Sequence, residues 1–359
     1  MVDASRKEAV NGTESFVMNK LINSGLFVGL VLALLGCGGE SVTSESGDSG
    51  LADQKVTIYL IPKKKGLPYF SSCAEGARAA AGDLGNVELI YDGPTDGSPE
   101  KQAAMIETYT LKGADVIAIS PNDPDVVAPA MRKAREQGVH VITWDADGLA
   151  DSRDFFVNQA TAEAIAHGMV DTMVVDLGGK DVEAEVAIVT AYLTAANQNV
   201  WIEHMKQHLT STYPLLTLVG IKPSDEDQKM AFSVTQDLMK TYPNIKGFFG
   251  ISSVSFPGAA EAVKQAGKSG DVMVTGLATP NSMRSYVEDG TVKSVVLWNT
   301  AELGYLTVLV GEALASGTLT SGATEFDGKK LGSKQVDGDQ VILGDIMVFN
   351  KENIGDFDF

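Results

Sequence analysis

The chain has 359 residues, of which 44% are hydrophobic, 7% aromatic and 37 glycine, and its formal net charge is −19. That acidity excludes a nucleic-acid backbone as a partner and disfavours docking on anionic lipid heads, because both need a basic face. The two cysteines, Cys37 and Cys73, stand in unrelated surroundings, which leaves no basis for a disulfide framework.

In chain order, residues 1–17 carry no apolar periodicity, and Met18 fits a translation start better than Met1. Asn19-Lys20 then precedes an apolar run from Leu26 to Leu35 that closes on Leu34-Leu35-Gly36-Cys37. A bilayer-crossing helix needs ~20 apolar residues. This run is half that, which suits the core of a signal peptide ending at a lipobox, with Cys37 as the lipidated residue. Gly38 to Gly50 is small, polar and acidic, the composition of a flexible tether. A buried cytosolic helix is the competing reading of the run, but a low-complexity linker directly behind a core helix argues against it. Residues 1–37 are therefore expected to be signal and lipobox, and 38–54 tether, and neither enters the fold.

From Lys55, short β-branched or apolar runs alternate with helical stretches. Strands are predicted at Val56–Ile61, Val87–Tyr91, Val116–Ser120, Val139–Trp144 and Phe155–Val157. A second series is predicted at Val186–Thr190, Leu215–Ile221, Gly247–Ile251, Val272–Leu277 and Ser294–Trp298, with a late strand at Val341–Phe349. Several of these are continuous apolar runs, as strands buried on both faces of a parallel sheet require. Ser98-Pro99, Asp123-Pro124 and Thr279-Pro280 each place a capping side chain before a proline at the first helical position. Gly138 and Gly267 stand where helices stop. The fold class that follows is α/β, two doubly wound parallel-sheet lobes. Residues 55–158 and 299–325 are assigned to the N-terminal lobe, and 159–298 and 326–359 to the C-terminal lobe with hinge and tail.

Ligands of open α/β sheets bind beyond the carboxyl ends of the strands. There the sequence places Pro62–Phe70, Thr143–Asp147, Ala191–Asn199, Ile251–Ser253 and Trp298-Asn299. This collection of carboxylate, carboxamides, hydroxyls, a lysine and aromatics suits a sugar. Carboxylates and carboxamides satisfy hydroxyls, and the C–H faces of the sugar pack on rings such as Tyr69, Phe70 or Trp144. Other chemistries fare worse. The Pro62–Phe70 segment has one glycine and no dinucleotide or P-loop fingerprint. Lys63-Lys64-Lys65 reads as a solvated run before a phosphate cradle. His204 and His208, one helical turn apart, lack further metal ligands. Of Asp145 and Asp147 at a strand end, only one is expected to face the cleft, and no nucleophile–base constellation accompanies them. Cys73 is expected to pack as a small buried residue.

An extended set of short motifs carries a family resemblance: Ile61-Pro62-Lys63, Tyr91-Asp92-Gly93-Pro94-Thr95, Thr143-Trp144-Asp145, Val157-Asn158-Gln159, Gln198-Asn199 with Trp201, Thr279-Pro280-Asn281, Met283-Arg284, Gly290-Thr291-Val292-Lys293, Leu297-Trp298, and Val348 through Ile354. From Val56 to Phe359 the chain resembles the type I periplasmic sugar-binding proteins of ABC importers, most closely the subgroup of rhamnose-binding and furanosyl-autoinducer-binding proteins. The resemblance implies ligand contacts at Lys63, Asp145, Asn197, Gln198, Ile251 and Ser253, with Tyr69 and Phe70 stacking on the sugar as in ribose-type binders. Asn197, Ile251 and Ser253 replace the Asp, Pro and Ala of the autoinducer pattern. Mismatched buried polar groups cost ~1–3 kcal/mol each, so a monosaccharide, with a deoxyhexose such as rhamnose favoured, displaces the autoinducer as the expected ligand. Trp298 completes the expected cleft.

The expectation is a monomeric, lipid-anchored receptor of the bacterial cell envelope. It would hand a monosaccharide to an ABC permease, without cofactor, metal, nucleic acid or catalytic residue. A furanosyl-autoinducer receptor, a chemoreceptor-type sugar sensor and, last, a sugar-modifying enzyme are the alternatives.

Overall fold

The computed structural model describes residues 55–359, so the expected signal, Cys37 and the tether lie outside the described residues. The first lobe runs β1 (Val56–Ile61), α1 (Pro68–Leu84), β2 (Val87–Tyr91), α2 (Pro99–Leu111), β3 (Val116–Ile119), α3 (Pro124–Glu136), β4 (His140–Trp144) and β5 (Phe155–Asn158). β1 pairs in parallel with β2 on one side and β3 on the other, and β4 and β5 continue the sheet. Helices cover both faces, so β3 is buried at every residue and shows no polar alternation.

The predicted caps operate at two of three places. Ser98 Oγ accepts the Lys101 amide at 3.1 Å, and Asp123 Oδ1 accepts those of Asp125 and Val126. Thr279 departs from the expectation: its hydroxyl pairs with Ser282 Oγ at 2.8 Å and caps no backbone amide. Gly138 and Gly267 take φ of 85° and 68°, the left-handed geometry that ends a helix.

The second lobe holds α4 (Ala162–Leu177), β6 (Ala184–Thr190), α5 (Ala196–Thr212), β7 (Leu216–Pro223), α6 (Gln228–Thr241), β8 (Ile245–Gly250), α7 (Ser255–Gln265), β9 (Met273–Gly276), α8 (Pro280–Glu288) and β10 (Val295–Leu297). Its parallel sheet has the order β7-β6-β8-β9. In each lobe the first strand is flanked by the next two, β1 by β2 and β3, β6 by β7 and β8. The winding therefore reverses beside β1 and beside β6, and the crevice at the carboxyl ends lies there.

The chain then returns to the first lobe as α9 (Thr300–Ala315). α9 and α1 meet backbone to backbone: a Cβ on Gly304 would fall 1.8 Å from Cys73 O, and one on Gly76 1.7 Å from Ala301 O. Cys73 is fully buried in that contact, as its small size predicts, and burial pushes its thiol well above the ordinary range.

The remainder corrects two expectations. β11 (Glu325–Asp327), β12 (Ser333–Asp337) and β13 (Gln340–Ile342) extend the first lobe's sheet in the order β11-β12-β13-β5, with β13 parallel to β5. Much of 326–359 thus belongs with the N-terminal lobe. The late strand expected at Val341–Phe349 is two: β13, and β14 (Met347–Phe349), which pairs antiparallel with β10 of the second lobe. Val341 is fully buried beside Val157 of β5, whereas Phe349 is fully buried beside Val295 of β10. Two separate cores claim the two ends of one apolar stretch. The segment between them is a third crossing, beside those after β5 and β10.

Candidate ligand-binding site

Each lobe contributes the loops at the carboxyl ends of its strands. Beyond β1, Gln102, fully buried on α2, donates from Nε2 to Pro62 O at 3.1 Å and Ser120 O at 2.8 Å, and its Oε1 accepts the Asn122 amide. Asn122 in turn donates to Lys63 O at 2.7 Å. The backbone that carries Lys63 is therefore held from two sides.

Beyond β4, Asp145 takes a left-handed φ of 63°, uncommon for a residue with a side chain and a recurrent feature of functional sites. The turn buries its carboxylate against the first lobe. Oδ1 accepts from Tyr69 OH at 2.8 Å, Oδ2 accepts from Ser120 Oγ at 2.7 Å, and Lys63 Nζ stands 3.7 Å from Oδ2. Each oxygen has two lone pairs, so both retain capacity for a ligand donor. Asp147 is held elsewhere: Arg153 grips it through Nε and Nη2 at 2.6 and 2.7 Å. Of the pair only Asp145 lines this cavity, because the left-handed turn at Asp145 ends the strand geometry before Asp147.

The aromatics form one edge-to-face cluster. Trp298 Nε1 donates to Tyr69 OH at 3.0 Å, and Tyr69 meets Phe70 and Trp298 at centroid distances of 5.0 and 6.0 Å. Burial first, then the Asp145 charge, pushes the Tyr69 phenol well above its ordinary range, so it stays a donor. Trp144 does not serve as a cleft ring: it is fully buried behind Phe70 and donates to Ala118 O at 3.3 Å. It is the last residue of β4, and its side chain points into the layer between sheet and helices.

From the second lobe, Gln198 Oε1 accepts from the Ala191 amide at 2.8 Å and from Thr190 Oγ1, which leaves its NH2 as the donor on the cleft side. Asn197 Oδ1 accepts from Lys63 Nζ at 3.1 Å, a bond that crosses between lobes. Ile251 is fully buried and Ser253 half-buried, on the loop after β8. Ser252 Oγ pairs with Ser255 Oγ at 2.7 Å and accepts the Ser255 amide.

All nine sequence-predicted residues, Lys63, Tyr69, Phe70, Asp145, Asn197, Gln198, Ile251, Ser253 and Trp298, line one interlobe cavity. Five further residues line it: Trp201, Glu226, Ser252, Leu277 and Leu297. Glu226 follows β7, so the strand-end rule that selected the others also reaches it. The lysine run disperses. Lys63 enters the cleft, Lys64 Nζ approaches Glu226 O at 3.4 Å, and Lys65 pairs with Asp92, so no phosphate cradle forms. His208 bonds Asp171 at 2.7 Å and stacks on His167, and among the described residues no group of three His, Cys, Asp or Glu is placed to hold a metal.

Two doubly wound lobes, linked by three crossings and enclosing a polar cleft floored by aromatics, define a solute-binding protein. Residues 58–319 match the periplasmic binding protein domain, and the chain belongs to that family, whose members bind substrates and are not enzymes. It is similar to a sugar ABC transporter protein of Actinomyces odontolyticus, at 35% identity and a TM-score of 0.71, over 86% of this chain and 99% of that one. It is also similar to an ABC transporter solute-binding protein of Clostridium phytofermentans with bound L-rhamnose (31% identity, TM-score 0.79, covering 84% and 98%). A third similar structure is LsrB of Clostridium saccharobutylicum in complex with AI-2 (25% identity, TM-score 0.79, covering 85% and 100%).

Proposed function

We propose that this protein is the extracytoplasmic receptor of an ABC importer, tethered by lipid at Cys37, and that it captures a monosaccharide, with a deoxyhexose such as rhamnose favoured. The observation that carries the reading is the convergence of Lys63, Tyr69, Phe70 and Asp145 from the first lobe with Asn197, Gln198 and Ser253 from the second around one cavity. The sugar docks on the first lobe, its hydroxyls on Asp145 and Lys63 and its apolar face on the rings. The second lobe then closes by hinge motion at the three crossings, and Asn197 and Gln198 complete the hydrogen bonding. The closed form presents both lobes to a membrane permease. The similarity to a rhamnose-bound protein supports this cargo. The similarity to an AI-2 complex keeps that ligand as a second reading, against which Asn197, Ile251 and Ser253 stand.

A thermal-shift screen of the purified protein against L-rhamnose, D-ribose, other monosaccharides and AI-2 tests the assignment. Ligand at ~1,000 times its dissociation constant adds ~4 kcal/mol of stability, a shift of several degrees. A shift with one sugar supports the proposal and names the cargo. A shift with AI-2 alone replaces it with the second reading, and no shift with any compound refutes it.

A further inference from the structure

The loop between β7 and α6 is Ser224-Asp225-Glu226-Asp227. Asp225 and Glu226 both adopt left-handed backbone, with φ of 53° and 49°. Two consecutive residues with side chains in that region redirect the chain, and Glu226 turns inward to line the interlobe cavity beside Lys63 and Ser252. Its carbonyl oxygen faces Lys64 Nζ of the first lobe at 3.4 Å, a contact that spans the cleft. Its Oε2 is buried and has no hydrogen-bond partner.

The neighbouring polar groups differ in this respect. Both Asp145 oxygens already accept protein hydroxyls, Asn197 Oδ1 accepts from Lys63 Nζ and the Gln198 amide, and Gln198 Oε1 accepts from Thr190 and Ala191. A buried carboxylate oxygen without a donor is rare in folded proteins and calls for an explanation. A donor carried by the ligand supplies one. This carboxyl stands at about 7, raised chiefly by burial and further by Asp145, while Lys63, Lys64 and a hydrogen bond from Ser252 draw it down. The neighbourhood therefore leaves the group incompletely compensated.

We propose that Glu226 is a specificity-determining ligand contact, whose Oε2 accepts a hydrogen bond from one particular hydroxyl of a neutral polyhydroxy ligand. The inference rests on the sugar-receptor reading of the same cleft and deepens it. With Asp145 on the first lobe and Glu226 on the second, the site presents carboxylate acceptors from both sides. It selects a sugar that directs O–H donors to both, and an analogue lacking the second donor leaves Oε2 unpaired.

The test is a cycle between protein and ligand. Affinities of wild type, Glu226→Gln and Glu226→Asp are measured by calorimetry for L-rhamnose, D-ribose and monodeoxy analogues of each. Unfolding temperatures without ligand confirm that each variant is folded, and Glu226→Asp serves if the glutamine variant is not. For the sugar that wild type binds, the expected result is at least a tenfold loss in the variants. For the one deoxy analogue missing the contacting hydroxyl, the loss shrinks to within twofold. An equal loss for every analogue, or no loss for the parent sugar, overturns the inference while leaving the receptor reading intact. If wild type binds none of the compounds in the thermal-shift screen, the receptor reading fails and takes this contact with it.

Discussion

Asp145→Asn tests the centre of the cleft with little collateral damage. Asp145 sits at a φ of 63°, where Asn is well tolerated and Ala would add backbone strain. The amide keeps one acceptor oxygen. Tyr69 OH, already accepting from Trp298 Nε1, needs that oxygen at its 2.8 Å position, so the new NH2 falls toward Ser120, whose hydroxyl can rotate to accept it. The fold should survive. What is lost is the carboxylate that faces Lys63 at 3.7 Å and the charge that strengthens any ligand O–H bond. A hydrogen bond to a charged group is worth ~1.5–3 kcal/mol, and ~1.4 kcal/mol is tenfold in affinity. The expected fall is ~10–100-fold, read by titration calorimetry with the captured sugar, with the ligand-free unfolding temperature within a few degrees of wild type. Asp145→Ala should abolish measurable binding while the protein stays folded. Affinity within twofold of wild type in the asparagine variant would refute the role given to this carboxylate.

Three further expectations address the fold and the anchor. Gly304→Ala places a Cβ 1.8 Å from Cys73 O, and backbone cannot yield as a side chain can. Overpacking of this kind costs ~1–3 kcal/mol or more, so the unfolding temperature should drop clearly; an unchanged value would mean α9 and α1 are not in this contact. Asp154 is buried enough for its carboxyl to be pushed up, yet His140, the Val141 amide and Arg135 together hold it below the usual range. A carboxyl with a depressed folded-state pKa contributes stability above its unfolded pKa of ~3.9 and loses it as pH falls further. Wild type should therefore lose its advantage over Asp154→Asn in denaturant melts from about pH 5 downward, and a pH-independent gap would contradict the ion-pair assignment. Cys37→Ser in the full chain should move the protein from the membrane to the soluble fraction of fractionated cells; retention at the membrane would remove the lipid anchor from the proposal.

The order of strands and helices was legible in the residues because parallel sheets covered on both faces demand unbroken apolar runs, and β3, buried at every residue, begins where such a run does. The cleft residues were legible for a related reason: in such sheets position along the chain, at a strand's carboxyl end, is also position in space. Where these two regularities lapse, only tertiary structure decides. β11 and β12 are short and largely exposed, so no periodicity marks them, and their place depends on β13 finding an open edge at β5. The stretch around Val341 and Phe349 is divided because two cores compete for it, a fact about distant partners and not about local propensity. Trp144 and Asp145 are neighbours in sequence, yet one lies behind the cleft and the other lines it, since a single left-handed residue reverses the local direction. Glu226 enters the cleft for the same reason. An acidic run does not encode the two dihedral angles that turn it inward; the packing of β7, α6 and the opposing lysines does.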